Sequence, residues 1–249
     1  MKEYEFKILI KSPTHIGSGK EGLTLDAEIV HDDLGFPYIP GKRVKGLLYE
    51  SALEMAEIFS YVEGTKIQDV EKFSVEKVLD LFGQHTGSDS KIRVDNFYLE
   101  NYSELRDDII NIRTMFPGIF TLEAVIQKYT TIRSQTAIDV ETGTAKEGSL
   151  RKIRLLNEDI KFSGTVTYLG NDETEKKICE NILNMACLNL RRMGQQRNRG
   201  FGKVKVSFEN MKITVVKSCG ETKDMKNNYA RKQAAMKNSK AKKGKNKRH

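Results

Sequence analysis

Gly194, Gly200 and Gly202 flank Arg197 and Arg199 in the stretch 191–204, RRMGQQRNRGFGKV. Glycine lets the backbone take positive φ and lets another backbone approach closely. Successive N–H groups in such a loop form a concavity that suits an anion. The two guanidinium groups add planar forks that match phosphate oxygens. This spacing is that of a loop gripping a phosphodiester chain. It also suits a helix C-cap followed by a tight turn with solvated arginines. A second basic corner lies at 41–46, GKRVKG, where Lys42, Arg43 and Lys45 cluster at the start of a helical pattern. The first-turn N–H groups of a helix have no internal partners and attract an anion, and cations there oppose the helix dipole. A bound polyanion resolves that conflict; a solvated basic turn is the other reading.

The elements that must hold these two corners follow from periodicity. Residues 3–11 place Tyr4, Phe6, Ile8 and Ile10 on one face, as in a half-buried strand. Val44, Leu47, Leu48, Ala52, Met55 and Phe59 mark a long helix that starts near 41. A shorter helix is expected over 74–82, with Ser74 as N-cap and Gly83 just past its end. Residues 14–25 and 84–90 read as loops, and 32–35 as a turn. Strands are expected over 91–99, 118–132 and 152–169, with 130–140 alternating and 141–150 forming a protruding hairpin tip. Asp172 opens a second long helix, with Glu175 placed for a capping box and Ile178, Ile182, Met185, Ala186 and Leu190 as its stripe. That helix is expected to run to Gly194, with strands following from Lys203 and over 211–216. The order strand, helix, strands, hairpin, strands, helix, strand predicts an α+β sandwich of ferredoxin type.

The chain has 249 residues, enough for one large domain, and a formal net charge of +8. Residues 221–249 hold eleven Lys/Arg against Glu221 and Asp224, which leaves 31 basic and 32 acidic side chains over residues 1–220. The body is near neutral, so any basic surface on it arises from local clustering. Cys179, Cys187 and Cys219 show no pairing pattern, which points to a reducing compartment; Cys179 and Cys187 are expected to pack as small apolar residues. His15, His31, His85 and His249 do not fall at metal-ligand spacing, so no structural zinc is expected. With no leader-like or membrane-spanning run, a cytoplasmic location is expected.

Three stretches, in order, resemble the RAMP superfamily of CRISPR effector proteins, and most closely the repeated backbone subunit of type III (Csm/Cmr) complexes. IGSG at 16–19, followed by Asp26 and GFPYIPGKRVKG at 35–46, is similar to the family's IGxG, aspartate and GxPYIPGSSLKG pattern. TAIDVETGTAKEGSLR at 136–151 is similar to its thumb hairpin, with an IDxxTGxA core. GQQRNRGFGKV at 194–204 is similar to its C-terminal loop, GxxRxRGxGxV. Weaker echoes are LFG at 81–83 and RVDN around Asp95. Lys42 and Arg43 stand where the family has two serines, Ala27-Glu28 where it commonly has a proline two positions after the aspartate, and Asn198 where it has a serine. Two serines replaced by two cations keep a grip on RNA.

The resemblance implies a modified ferredoxin-like (RRM-like) fold with an antiparallel sheet, helices on one face, and an inserted lid and thumb hairpin. The domain would span 1–219, with the thumb near 130–152 and a disordered basic tail at 220–249. It further implies copies stacked with one another and with other RAMP and effector-complex subunits, without a membrane, along a guide RNA (crRNA) that pairs with target RNA. Lys42, Arg43, Lys45, Arg197, Arg199, Gly200 and Gly202 become candidate RNA contacts, and Thr142, Ala145 and Lys146 lie near the thumb's wedge. By motif position Asp26 becomes the catalytic residue and the ligand of Mg2+ or another divalent cation. One carboxylate suffices, because RNA supplies its own 2′-OH nucleophile and Mg2+ keeps most of its hydration. A RAMP subunit that only binds RNA, and a guide-processing endonuclease with His15 or His31 as base, are the alternatives. In the preferred reading Lys45 and Arg199 line one groove.

Overall fold

Alternation along β1 (Lys2–Ile10) buries Tyr4, Phe6, Ile8 and Ile10 and leaves Glu3, Glu5 and Lys7 exposed, so one face of the strand is covered. In the computed structural model, which describes residues 1–19, 25–61, 73–83 and 90–208, this strand sits at the centre of the main sheet. β1 pairs antiparallel with β6 (Lys161–Tyr168) on one side and with β7 (Val204–Phe208) on the other. β2 (Ile92–Val94) and β3 (Tyr98–Leu99) both pair with β6, so the order across the sheet is β2-β6-β1-β7. The helices α1 (Gly41–Tyr61) and α5 (Glu173–Asn189) supply the other layer. Val44, Leu48, Ala52 and Ala56 of α1 join Ile182, Leu183 and Ala186 of α5 in one core with the inward residues of β1, β6 and β7. Each fully buried large side chain there contributes about 1.5–3 kcal/mol. The chain order β1-α1-β2-β6-α5-β7, with β1 and β6 in the middle, is the ferredoxin-like arrangement.

Two insertions decorate this frame. Between β1 and α1, the described residues 11–19 and 25–40 form a long connecting segment, termed the lid. Between β2 and β6 lie β3, α3 (Tyr102–Met115), α4 (Leu122–Tyr129) and the hairpin of β4 (Thr130–Gln135) with β5 (Arg151–Leu156). The helix α2 (Val75–Phe82) begins at Ser74, whose side chain accepts the Lys77 N–H, and ends at Gly83, as its spacing predicts.

The structure corrects several expectations. Residues 118–132 are not one strand: α4 occupies most of them, with Thr121 capping the Ala124 N–H and only Thr130 onward extended. Leu122, Val125, Ile126 and Tyr129 stand at helical spacing, and Val125 and Ile126 are buried. Helix α3 has no counterpart in the periodicity reading, because it buries no residue fully. The expected strand 91–99 breaks between β2 and β3, where Asn96 Oδ1 accepts the Gly41 N–H at 2.9 Å. Helix α5 ends at Asn189, five residues before Gly194. Its N-cap is Asp172, which accepts the Thr174 N–H at 3.0 Å, but Glu175 does not close a capping box. Glu175 instead accepts from Lys91 Nζ at 3.0 Å and from the Tyr168 hydroxyl at 3.0 Å. Asp172→Ala is therefore expected to lower stability by about 1 kcal/mol and Tm by about 3 °C in a thermal melt, a shift that Glu175→Gln would add to rather than mimic.

Cys179 and Cys187 are buried free thiols, as expected, and burial pushes the Cys179 thiol up to about 12. Among the described residues no helix is long and apolar enough to cross a membrane. The expected strand at 211–216, the expected tail at 220–249, residues 84–89 of an expected loop, Cys219 and His249 lie outside the described residues, and His85 with them.

Candidate nucleic-acid interface

Strand β5 is the rail on which the site is assembled. One edge pairs with β4; the other takes two pieces of the lid. Thr14 bridges Leu156, with both N–H···O bonds formed, at 3.1 and 2.8 Å. Ala27 bridges Ile153 in parallel, and the Arg154 N–H donates to Ala27 O at 3.1 Å. Asp26, next in line, is exposed; its N–H donates to Lys152 O at 3.0 Å and its Oδ2 accepts the Lys152 N–H at 2.6 Å. Asp26 is thus fixed to the base of the thumb.

The glycine loop closes over the same place. The Met193 N–H donates to Gly202 O and the Val204 N–H to Arg191 O, so 191–204 is a narrow antiparallel loop. Its inner side docks on the lid: the Gln195 N–H reaches His15 O at 3.1 Å and the Gly202 N–H reaches Pro13 O at 3.0 Å. Phe201 leaves the loop to join Ile153 and Leu155 of β5 in a small second apolar cluster, with Ala27 packed against it. Arg133 of β4 lies 5.5 Å from the centre of the Phe201 ring, and Gln135 and Gln196 exchange side-chain hydrogen bonds of 3.0 and 3.1 Å. Lid, thumb base and glycine loop therefore meet at one corner. The outer turn of the loop, Arg197 to Gly200, is exposed, with Gly200 at φ +87° and no atom within 4 Å of where a Cβ would sit.

The candidate RNA contacts divide by position. Arg197 and Arg199 are exposed on that outer turn. Arg43 donates from Nη2 to Gly17 O, and Arg197 Nη1 lies 3.8 Å from Glu50 of α1, so this flank of α1 borders the loop. Lys42 is exposed at the helix start beside Arg43. Lys45, two residues from Arg43, emerges on the opposite flank of the helix. Its Nζ donates to Ser90 Oγ at 2.6 Å and Ile92 O at 3.4 Å, and burial lowers its pKa. The expectation that Lys45 lines a groove with Arg199 is replaced by a tie between α1 and β2. Gly202 is likewise buried, with its N–H engaged, so its role is packing rather than contact. The first turn of α1 is also less open to an anion than expected, since the Gly41, Arg43 and Val44 N–H groups have partners in Asn96 and Pro40.

The thumb tip is a hairpin that is internally bonded. Asp139 Oδ1 accepts the Glu141 and Thr142 N–H groups, at 2.9 and 3.1 Å. The Thr142 and Glu141 N–H groups together hold the Asp139 carboxyl below its usual range. Ile138 bridges Ala145, the Lys146 N–H donates to Ala137 O, and the Thr142 and Thr144 hydroxyls meet at 2.8 Å. Thr142, Ala145 and Lys146 sit exposed on this tip, with Val140 97% exposed beside them.

Among the described residues Asp26 Oδ1 meets no donor, while Oδ2 accepts the Lys152 N–H. Among the described residues there is no group of three or more His, Cys, Asp or Glu suited to a metal ion. A lone carboxylate oxygen fits Mg2+, which binds through one or two carboxylates with water and substrate phosphates, and does not fit a zinc cage. His15 is 3% exposed and donates from Nδ1 to Arg154 O at 2.7 Å, a packing role that sets it apart from a general base open to RNA. His31 bonds to the carbonyl of its neighbour Asp32 at 2.8 Å. Arg133, Gln135, Gln196 and Phe201 escaped the sequence reading; a lone aromatic between two glycines was the one available signal.

Residues 7–205 match the model of the family described as "RAMPs: RAMP superfamily". No curated protein matches the chain. Solved structures share its fold, among them chains of two cryo-EM complexes. One is a chain in the cryo-EM structure of the Type III-B Cmr-beta bound to cognate target RNA, 14% identical, with a TM-score of 0.57 over 84% of this chain and 97% of that one. The other is a chain in the Type III-B Cmr-beta cryo-EM structure of the apo state, 12% identical, with a TM-score of 0.58 and the same coverage, 84% and 97%.

Proposed function

The chain belongs to the RAMP superfamily, and from that premise we propose that it is a guide-RNA-binding backbone subunit of a type III CRISPR effector complex that cleaves target RNA in antiviral defence. The observation that carries this reading is the small cluster of Ala27, Ile153, Leu155 and Phe201. It joins the strand that bears Asp26, the thumb base and the arginine-bearing loop. The likeness to a chain of a Cmr-beta complex bound to target RNA supports it.

In this reading Arg43, Arg197 and Arg199 meet phosphates of the guide, which carry no sequence information. Base pairing by the guide supplies specificity, as in other RNA-guided effectors. The thumb tip interrupts the guide–target duplex, and an unstacked nucleotide is free to bring its 2′-OH in line with the phosphorus at a cost of a few kcal/mol. Asp26 stands at the thumb base with Oδ1 available. A divalent cation held there would neutralise charge developing on the scissile phosphate. The chain's own part is to fix the carboxylate against β5 and to hold the strand by its backbone.

Charge removal tests the binding half. Arg197→Gln with Arg199→Gln is expected to flatten the dependence of log Kd for guide RNA on log salt by about 1.4, about 0.7 for each phosphate that is no longer neutralised. The measurement is a titration of guide RNA at several salt concentrations. A slope equal to that of the wild type would remove the loop from the RNA interface.

A further inference from the structure

Arg154 is a nearly buried cation, with 4% of its side chain exposed, and it lies outside the RNA-facing set. Its guanidinium reaches three segments: Nε lies 2.9 Å from Glu28 Oε1 in the lid, Nη2 2.9 Å from Glu123 Oε1 on α4, and Nη1 donates to Thr130 Oγ1 on β4 at 3.3 Å. Its backbone adds two more ties, the N–H to Ala27 O and the carbonyl to His15. Burial raises the Glu123 pKa, but hydrogen bonds from Gln127 and Arg154 and the Arg154 charge outweigh it, so the group stays below its usual range. Residues 26–28 are held on β5 by backbone bonds and, among the described residues, by two side chains, the Asp26 carboxylate and Glu28 on Arg154. A lysine cannot reproduce a fork that satisfies two carboxylates at once.

We propose that Arg154, through Glu28, is the positioning residue that sets the Asp26 carboxylate for RNA cleavage. This rests on the reading of Asp26 as the cleaving residue. Arg154 touches no RNA. It locks the lid strand to the thumb so that Asp26 keeps one place relative to the arginine loop, and misplacement of a reacting group by about 1 Å costs about a hundredfold in rate.

The test uses Arg154→Lys and Glu28→Gln in the assembled effector complex, with Val166→Ala in the sheet core as a control for lowered stability. Three quantities are read: the single-turnover cleavage rate at saturating target, the Kd for target RNA, and amide hydrogen exchange of peptides covering 151–156. Both variants are expected to cut about 10–100-fold more slowly, to bind target within about twofold of the wild type, and to exchange faster over 151–156. Val166→Ala should keep its rate and its exchange in that segment. Wild-type cleavage in either variant, unchanged exchange, or a rate loss in Val166→Ala as large as theirs would overturn the assignment. Glu28→Gln keeps Arg154 on Glu123 and so remains informative if Arg154→Lys fails to fold. If Asp26→Asn cuts normally, the cleavage reading fails by itself, whereas the exchange result still decides whether the clamp exists.

Discussion

Asp26→Asn in the assembled complex is expected to lower target-RNA cleavage by about three orders of magnitude while leaving guide and target affinity within about twofold. The substitution is chosen for what it keeps. An amide oxygen still accepts the Lys152 N–H, now 2.6 Å from Oδ2, and the Asp26 N–H still reaches Lys152 O. The lid strand therefore stays on β5, with Ala27 in the cluster beneath Phe201. What disappears is the negative charge and with it the anionic oxygen that would hold a cation. A fall in rate without a fall in affinity separates loss of chemistry from loss of the groove. Cleavage within tenfold of the wild type at every site would assign the chemistry to another chain and leave this one as a binding subunit.

Gly202→Ala is expected to be the most damaging single methyl group in the site, costing about 3–4 kcal/mol and lowering Tm by roughly 10 °C. Gly202 has φ +78°, and a Cβ there would lie 2.0 Å from Met193 O. That oxygen is backbone, so the loop must open to accommodate it. Opening breaks the hydrogen bonds from Gly202 N–H to Pro13 O and from Met193 N–H to Gly202 O. It also pulls at the neighbouring Phe201, and so at the corner that holds Ala27. Gly200→Ala is the matched comparison. Its φ of +87° carries the same left-handed strain, but no atom lies within 4 Å of the new methyl group. It should cost only about 1–2 kcal/mol. Equal melting temperatures for the two variants would show that φ alone, and not close packing, sets the cost.

The clamp, the cap and the loop arginines act on different links of the chain from sequence to function. Asp172 affects only the start of α5, and Arg197 with Arg199 only the exposed charge of the glycine loop. Gly202 affects the shape of the corner, and Arg154 the place of one carboxylate inside it. Measured together, these variants would separate stability, affinity and rate in one molecule.

Much of the frame was legible because its causes are local. β1 alternates with period two, α1 carries an apolar stripe, and Ser74, Gly83 and Asp172 mark helix ends through their own side chains or φ. The three motifs, read in order, also pointed to the family whose model matches residues 7–205. Where local signals conflict, the reading erred: α4 shares its apolar residues between strand and helix spacing, and burial of Val125 and Ile126 against the fold settles the matter.

What the linear order cannot express is which flank of an element faces which neighbour. Arg43 and Lys45 are two residues apart, yet one reaches Gly17 and the other Ser90, because helical geometry turns them to opposite sides. Gly200 and Gly202 look alike in sequence, yet the strand register makes one a surface turn and the other a contact between backbones. Arg154 finds Glu28 across 126 positions, and Phe201 finds Ile153 and Leu155, only after the sheet has formed. Residue types and their local periodicity therefore determined the layers and pointed to the family. Long-range packing alone decided which charges are buried, which are free, and which carboxylate is held in place, since those depend on neighbours far away along the chain.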